Sequence, residues 1–96
     1  NKPIGILSIP DHSRQADVIS ILRQYYQTES IAAVHRIDRE TSGLMVVARG
    51  KASASAFDEL FEKYNIHRNY LAIVEGNLKS DKGTWQSHLL ELDNFK

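Results

Sequence analysis

The order of helical and extended segments predicts one small domain of the α+β or α/β class. Two segments carry apolar residues at the spacing of amphipathic helices, residues 16–27 and 51–65. Short apolar runs predict strands at residues 4–9, 43–49, 68–76 and 84–92. The resulting order is β, α, loop, β, α, β, turn, β, which is typical of helices layered on a sheet.

Each predicted helix is defined by a stripe of large apolar side chains. The stripe of the first consists of Val18, Ile19, Leu22, Tyr25 and Tyr26. The stripe of the second consists of Phe57, Leu60, Phe61 and Tyr64. Either Ser13 or Asp17 has a side chain suited to capping the start of the first helix.

Two of the predicted strands, 43–49 and 68–76, are apolar on both faces. Such strands need other elements packed on both faces of the sheet, and the two predicted helices are too few to provide this. The first residues, "NKPIG", include no initiating Met and no signal-peptide pattern. We therefore expect the 96 residues to be part of a larger fold.

Composition excludes several classes of protein and site. The chain has no cysteine, so it has neither disulfides nor thiolate metal ligands. No apolar run approaches the roughly 20 residues that a membrane span needs. These features fit a reducing compartment, and we expect a cytoplasmic protein that does not bind a membrane. The net charge is zero, which argues against nucleic-acid binding through bulk charge.

One stretch, "HRIDRETSGLMVVARG" at residues 35–50, gathers polar groups immediately before an apolar run. If its start is extended, Arg36 and Asp38 point to the same side and can pair. A carboxylate kept ionised by a guanidinium can act as a nucleophile or a base. The structural alternative is an ordinary surface ion pair worth about 0–1 kcal/mol. The residues 41–43, Thr-Ser-Gly, are expected to turn the chain into the strand.

Other motif interpretations do not fit this stretch. Ile37 displaces the aspartate from its place in a kinase catalytic loop, and Ala52 occupies the position where a P-loop needs Ser or Thr. The four histidines, at positions 12, 35, 67 and 88, lack metal-ligand spacing.

Three segments together resemble the RluA-type RNA pseudouridine synthases. "HRIDRETSGLMVVAR" is similar to the family signature His-Arg-Leu-Asp, two variable residues, Thr-Ser-Gly-Leu and an apolar strand, with Ile37 in place of Leu. "NKPIGILSIP" resembles the Asn-Lys-Pro-x-Gly segment, and "IHRNYLAIVEG" resembles the Lys/Arg-x-Tyr-x-Ala-x-Val-x-Gly segment. The motifs follow the family order over residues 1–76. The resemblance narrows the fold class to α+β, with a mixed or antiparallel sheet flanked by helices.

The resemblance implies an enzyme that converts uridine in rRNA or tRNA to pseudouridine without a cofactor or metal. It implies that residues 1–96 are the N-terminal portion of the catalytic domain of a monomer. Asp38 matches the catalytic aspartate, Arg36 the arginine that pairs with it and helps open the RNA, and Tyr70 the tyrosine that stacks on the base. The structural alternative for Tyr70 is a packed strand aromatic.

Three further residues are candidates for RNA contact. Arg68 shares a strand side with Tyr70 and is expected to reach a phosphate, and Arg39 belongs to the positive block of the motif. His35 either contacts RNA or ties the loop, and the second role is preferred. A different class of function, a non-catalytic RNA-binding or structural fragment that retains the motifs, remains as the alternative. Asp38 argues against it, because an acid facing RNA phosphates opposes binding.

Overall fold

The computed structural model of the protein describes residues 1–90. Along these residues the elements are helix α1 (Val18–Tyr26), strands β1 (Ile31–Ala33) and β2 (Val47–Arg49), and helix α2 (Lys51–Glu62). The two strands form an antiparallel sheet in which Ala32 lies opposite Ala48. Helix α1 packs against β1, and α2 packs against β2. The predicted α+β class is confirmed at this level.

Helix α1 begins as its polar flank predicts. The Asp17 carboxylate accepts a hydrogen bond from the backbone N–H of Ser20 at 2.8 Å, so Asp17 is the N-cap. Ser13 instead bonds Asp11 in an exposed turn. The helix ends at Gln27, whose left-handed backbone (φ 51°) lets its N–H bond to carbonyls of the last turn.

Helix α2 is confirmed, although it ends earlier than predicted. It stops at Glu62, and Tyr64 has a positive φ of 52° that is incompatible with a further helical turn. Within the predicted stripe, the rings of Phe57 and Phe61 are half-buried, whereas Tyr64 is 90% exposed. The stripe therefore packs through its two phenylalanines.

The strand predictions fail more often than the helix predictions. Residues 4–9 form turns with a single bridge from Leu7 to Asp17, and only the end of segment 43–49 is a strand, β2. Strand β1 was not predicted. Residues 68–76 and 84–90 belong to no strand, and residues 91–92 of the last predicted strand lie outside the described residues. A strand exists only through hydrogen bonds to a partner, which local sequence does not specify.

Within the described residues, the apolar segments 43–49 and 68–76 are not covered on both faces, so the predicted cover would have to come from further chain. Leu71 and Ile73 are fully exposed, and Leu44 is 84% exposed. Buried apolar side chains within residues 1–90 are Ile19, Ile31, Ile37 and Ala48. This small core lies between α1, the sheet and the start of the 35–50 motif. None of the helices within residues 1–90 is long and apolar enough to cross a membrane.

Candidate active site

The motif loop, defined as residues 35–43, presents its two key charges outward. Arg36 and Asp38 are exposed, and Ile37 between them is 7% exposed. This alternation agrees with extended backbone over residues 36–38, whereas Val34 and His35, at the start of the range predicted to be extended, lie in a bend. The predicted ion pair is not formed in this structure, however, because no guanidinium nitrogen of Arg36 lies within 4 Å of a carboxylate oxygen of Asp38. Both side chains are exposed to solvent, where an ion pair contributes only about 0–1 kcal/mol.

The N-terminal segment, residues 2–8, runs antiparallel to the motif loop and holds it. At one end, Lys2 and Gly43 exchange backbone hydrogen bonds of 2.7 and 3.0 Å. In the middle, the Gly5 N–H donates to the Arg39 carbonyl at 2.9 Å. At the other end, the Ser8 hydroxyl accepts from the Ile37 N–H at 3.1 Å and donates to the Ile37 carbonyl. The site loop therefore rests on the first residues of the chain.

Lys2 adds a buried charge to this contact. Its side chain is 2% exposed, and its Nζ donates to the carbonyls of Pro3, Ile6 and Arg39 at 2.8–3.1 Å. A buried ammonium is tolerated only when its donors are satisfied, and three acceptors match its three N–H groups. Sequence reasoning did not single out Lys2 or Ser8 as functional. The one available signal was their place in the "NKPIGILS" segment.

The sharp turn of the loop lies earlier than predicted. The Thr41 N–H donates to the Asp38 carbonyl at 3.0 Å, which closes a turn over residues 38–41. Gly43 then adopts a φ of 131°, a conformation that side-chain-bearing residues rarely adopt. Asp38 is thus the first residue of the turn.

His35 ties the loop, as preferred from the sequence. Its Nε2 accepts a hydrogen bond from the Val46 N–H at 2.8 Å, and its ring stacks on Phe61 with centroids 5.2 Å apart. Burial lowers the pKa of His35, and the positive charge of Arg68 acts in the same direction. The neutral imidazole is therefore the form that links the loop to β2 and α2.

A groove of about 690 Å³ opens beside the motif loop. His35, Arg68 and Tyr70 line it, together with Ile37 and Thr41, which flank Asp38 and its turn. The Arg68 guanidinium lies 5.6 Å from the centroid of the Phe61 ring, a cation–π distance. The groove therefore brings together three predicted site residues from separate motifs: His35 from the 35–50 stretch, and Arg68 and Tyr70 from the 66–76 segment.

Asp38, Arg36 and Arg39 do not line this groove. The Arg39 Nε bonds the Gly5 carbonyl at 3.3 Å and lies 3.5 Å from the Glu40 carboxylate. Tyr70 is 59% exposed and belongs to no strand of the described residues, so it is not packed as a strand aromatic within residues 1–90. A second cavity, of about 590 Å³, is formed by the single segment 77–85 and contains none of the predicted site residues.

No cluster of His, Asp or Glu within the described part of the chain is arranged to hold a metal ion. The candidate site consists of one exposed carboxylate (Asp38), three exposed guanidinium groups (Arg36, Arg39 and Arg68) and the Tyr70 ring beside a groove. Such a set can stabilise positive charge, contact phosphates and stack on a planar base.

Comparison with known proteins places these motifs in a family. The sequence profile of the family described as RNA pseudouridylate synthase matches residues 1–94. The chain is 36% identical over 92 residues to the uncharacterized RNA pseudouridine synthase YhcT of Bacillus subtilis, covering 91% of this chain and 30% of the relative. No solved structure matches the chain at a significant level.

Two further relatives have more specific names. The dual-specificity RNA pseudouridine synthase RluA of Vibrio vulnificus is 37% identical over 83 residues, which are 86% of this chain and 33% of that protein. The ribosomal large subunit pseudouridine synthase C of Haemophilus ducreyi is 34% identical over 90 residues, which are 93% of this chain and 26% of that protein. The chain thus spans about a third or less of these relatives. From the profile match over nearly its whole length, the chain belongs to the RNA pseudouridylate synthase family.

Proposed function

We propose that residues 1–96 are the N-terminal portion of the catalytic domain of an enzyme that isomerises uridine in RNA to pseudouridine. The observation that carries this proposal is the exposed Asp38 carboxylate, presented by a backbone that is fixed on both sides. Ile37 before it is anchored by Ser8, and its own carbonyl closes the turn to Thr41. A protein that only binds RNA has no use for an acid held at this place.

The proposed reaction rearranges one nucleotide without adding or removing atoms overall. The bond between C1′ of the ribose and N1 of uracil breaks, the uracil rotates, and a C1′–C5 bond forms. The proton on C5 is lost, and N1 gains one. Positive charge develops on the ribose when the first bond breaks, and a carboxylate such as Asp38 stabilises or traps it. Nucleophilic and basic roles for Asp38 both need this carboxylate at the sugar.

The groove supplies the proposed contacts to the target nucleotide. The base must leave the RNA stack at a cost of a few kcal/mol. Stacking on Tyr70, worth about 1–3 kcal/mol, offsets that cost. Arg36 and Arg68 are exposed and can contact phosphates, Arg68 from its position over the Phe61 ring. Arg39 and His35 contribute through the loop contacts that already engage them.

We propose rRNA as the first substrate to test, because one of the relatives is named for the large ribosomal subunit. Structured tRNA is the second. We further propose that the enzyme works as a cytoplasmic monomer without cofactor or metal. Its complete domain would have a mixed or antiparallel sheet flanked by helices, of which β1 and β2 form a part. The exposed Leu71 and Ile73 support this, since apolar residues of this size are usually covered.

The decisive experiment replaces Asp38 by Asn in the full-length protein. We expect Asp38→Asn to abolish pseudouridine formation while folding is retained, because the amide cannot act as a carboxylate toward the ribose. Release of tritium from RNA labelled at C5 of uridine measures the reaction directly. Asp58→Asn, at an exposed position on α2, is the matched control and should retain full activity. Normal turnover by Asp38→Asn would refute the proposed role of Asp38.

A further inference from the structure

Ser8 makes a contact that its residue type alone does not predict. The residue is 3% exposed and lies 29 residues before its partner in the chain. Its hydroxyl accepts from the Ile37 N–H at 3.1 Å and also donates to the Ile37 carbonyl. One side chain thereby satisfies both backbone groups of one residue, as a neighbouring strand would do.

The two bonds control the peptide planes on either side of Ile37. The Ile37 N–H belongs to the peptide that follows Arg36, and the Ile37 carbonyl belongs to the peptide that precedes Asp38. Fixing both planes sets the direction in which the two charged side chains leave the backbone. Within the described residues, the Asp38 carboxylate itself accepts no hydrogen bond, so its placement depends on the backbone.

The geometry points to Ser8 as a positioning residue for Asp38, an inference that rests on the proposed function. Ser8 does not line the groove and does not act on RNA directly. It holds the Arg36–Asp38 backbone in the conformation in which the carboxylate meets the ribose. Because a displacement of about 1 Å in a catalytic group can cost about 100-fold in rate, loss of this hydroxyl should affect the chemical step.

Ser8→Ala, Ser8→Thr and the control Ser55→Ala in the full-length protein test this role. Ser55 is exposed on α2 and makes no side-chain hydrogen bond to any residue among 1–90. We expect Ser8→Ala to lower kcat by about 10- to 100-fold with KM changed by less than about twofold. Ser8→Thr keeps the hydroxyl and should recover most of kcat, and Ser55→Ala should match the unmodified protein.

Hydrogen exchange separates a local effect from general unfolding. In Ser8→Ala the Ile37 amide should exchange faster, while the Gly50 amide, which bonds the Ser30 carbonyl at 2.8 Å, should keep its protection. Loss of protection at both amides would overturn the inference, and so would an unchanged kcat or an equal loss of kcat in Ser8→Thr.

The same experiments distinguish failure of this inference from failure of the proposed function. An unmodified protein that releases no tritium from any RNA tested would refute the function, whereas an Asp38→Asn variant that remains active would refute the role of Asp38. A normal kcat in Ser8→Ala beside an inactive Asp38→Asn variant would refute only the positioning role.

Discussion

Ile37 is a buried apolar residue between two exposed charged residues, and this contrast shapes the candidate site at the scale of single residues. Its side chain joins the small core, so Arg36 and Asp38 are directed outward. The alternation was readable from sequence because side chains in extended chain alternate by geometry. The absence of an Arg36–Asp38 ion pair could not be predicted from the sequence, because two solvent-exposed charges are stabilised little by pairing.

His35 should make the stability of the protein depend on pH. Its Nε2 must be unprotonated to accept the Val46 N–H, and burial lowers its pKa in the folded state below the ordinary histidine value of 6.5. The unfolded chain therefore binds a proton at higher pH than the folded protein does. The resulting contribution to stability is present above about pH 6.5 and is lost as the pH falls toward the lowered pKa.

Urea unfolding of the full-length protein between about pH 7.5 and pH 5.5 measures this effect. We expect the free energy of unfolding to fall with pH less steeply in His35→Gln, because Gln does not titrate. His88→Gln, at an exposed position, should keep the slope of the unmodified protein. An unchanged slope in His35→Gln would contradict the assignment of the pH effect to this residue.

Among the secondary-structure elements, the helices are defined by local sequence much more fully than the strands. Helix α1 has its stripe, its cap and its stop within a dozen residues, because helical hydrogen bonds connect near neighbours. Strands β1 and β2 are three residues each and pair across a 13-residue connection, Val34–Val46. Their existence depends on that partner more than on their own composition.

The assignment of Asp17 as the N-cap of α1 can be tested by substitution. Asp17→Ala removes the acceptor for the Ser20 N–H and should lower the free energy of unfolding by about 0.5–2 kcal/mol. Asp17→Asn keeps a capping oxygen and should recover most of that loss. Ser13→Ala, at the rejected cap position, serves as the control and should cost less than Asp17→Ala in the same urea titration. A larger loss in Ser13→Ala would show that the cap is misassigned.

At the scale of the whole molecule, the N-terminal segment and the motif loop form one unit although they are far apart in sequence. The Lys2 ammonium reaches the Arg39 carbonyl across 37 residues, and the Lys2 backbone pairs with Gly43. The loop that carries Asp38 is therefore supported by the residues that open the chain. Loss of this support should destabilise the protein and weaken the site together.

Lys2→Met in the full-length protein tests this support. It keeps the length of the side chain but leaves the three carbonyls without their donor, at about 1–3 kcal/mol for each that stays buried and unpaired. We expect a clear drop in the thermal unfolding midpoint. Lys51→Met, at the exposed start of α2, should change the midpoint little. Equal midpoints for the two variants would mean that the buried ammonium contributes no stability.

By itself, the sequence determined the two helices and the three motifs that identify the family, and it limited the cap of α1 to Ser13 or Asp17, between which the structure selects Asp17. These features are local patterns, and near-neighbour spacing is enough to reveal them. Only the tertiary structure decided which segments pair as strands, that Arg36 and Asp38 stay apart, and that Lys2 and Ser8 hold the motif loop. The partners of Lys2 and Ser8 are backbone carbonyls and an amide up to 37 residues away. Every residue has such groups, so no pattern of side chains could indicate which of them would be bound.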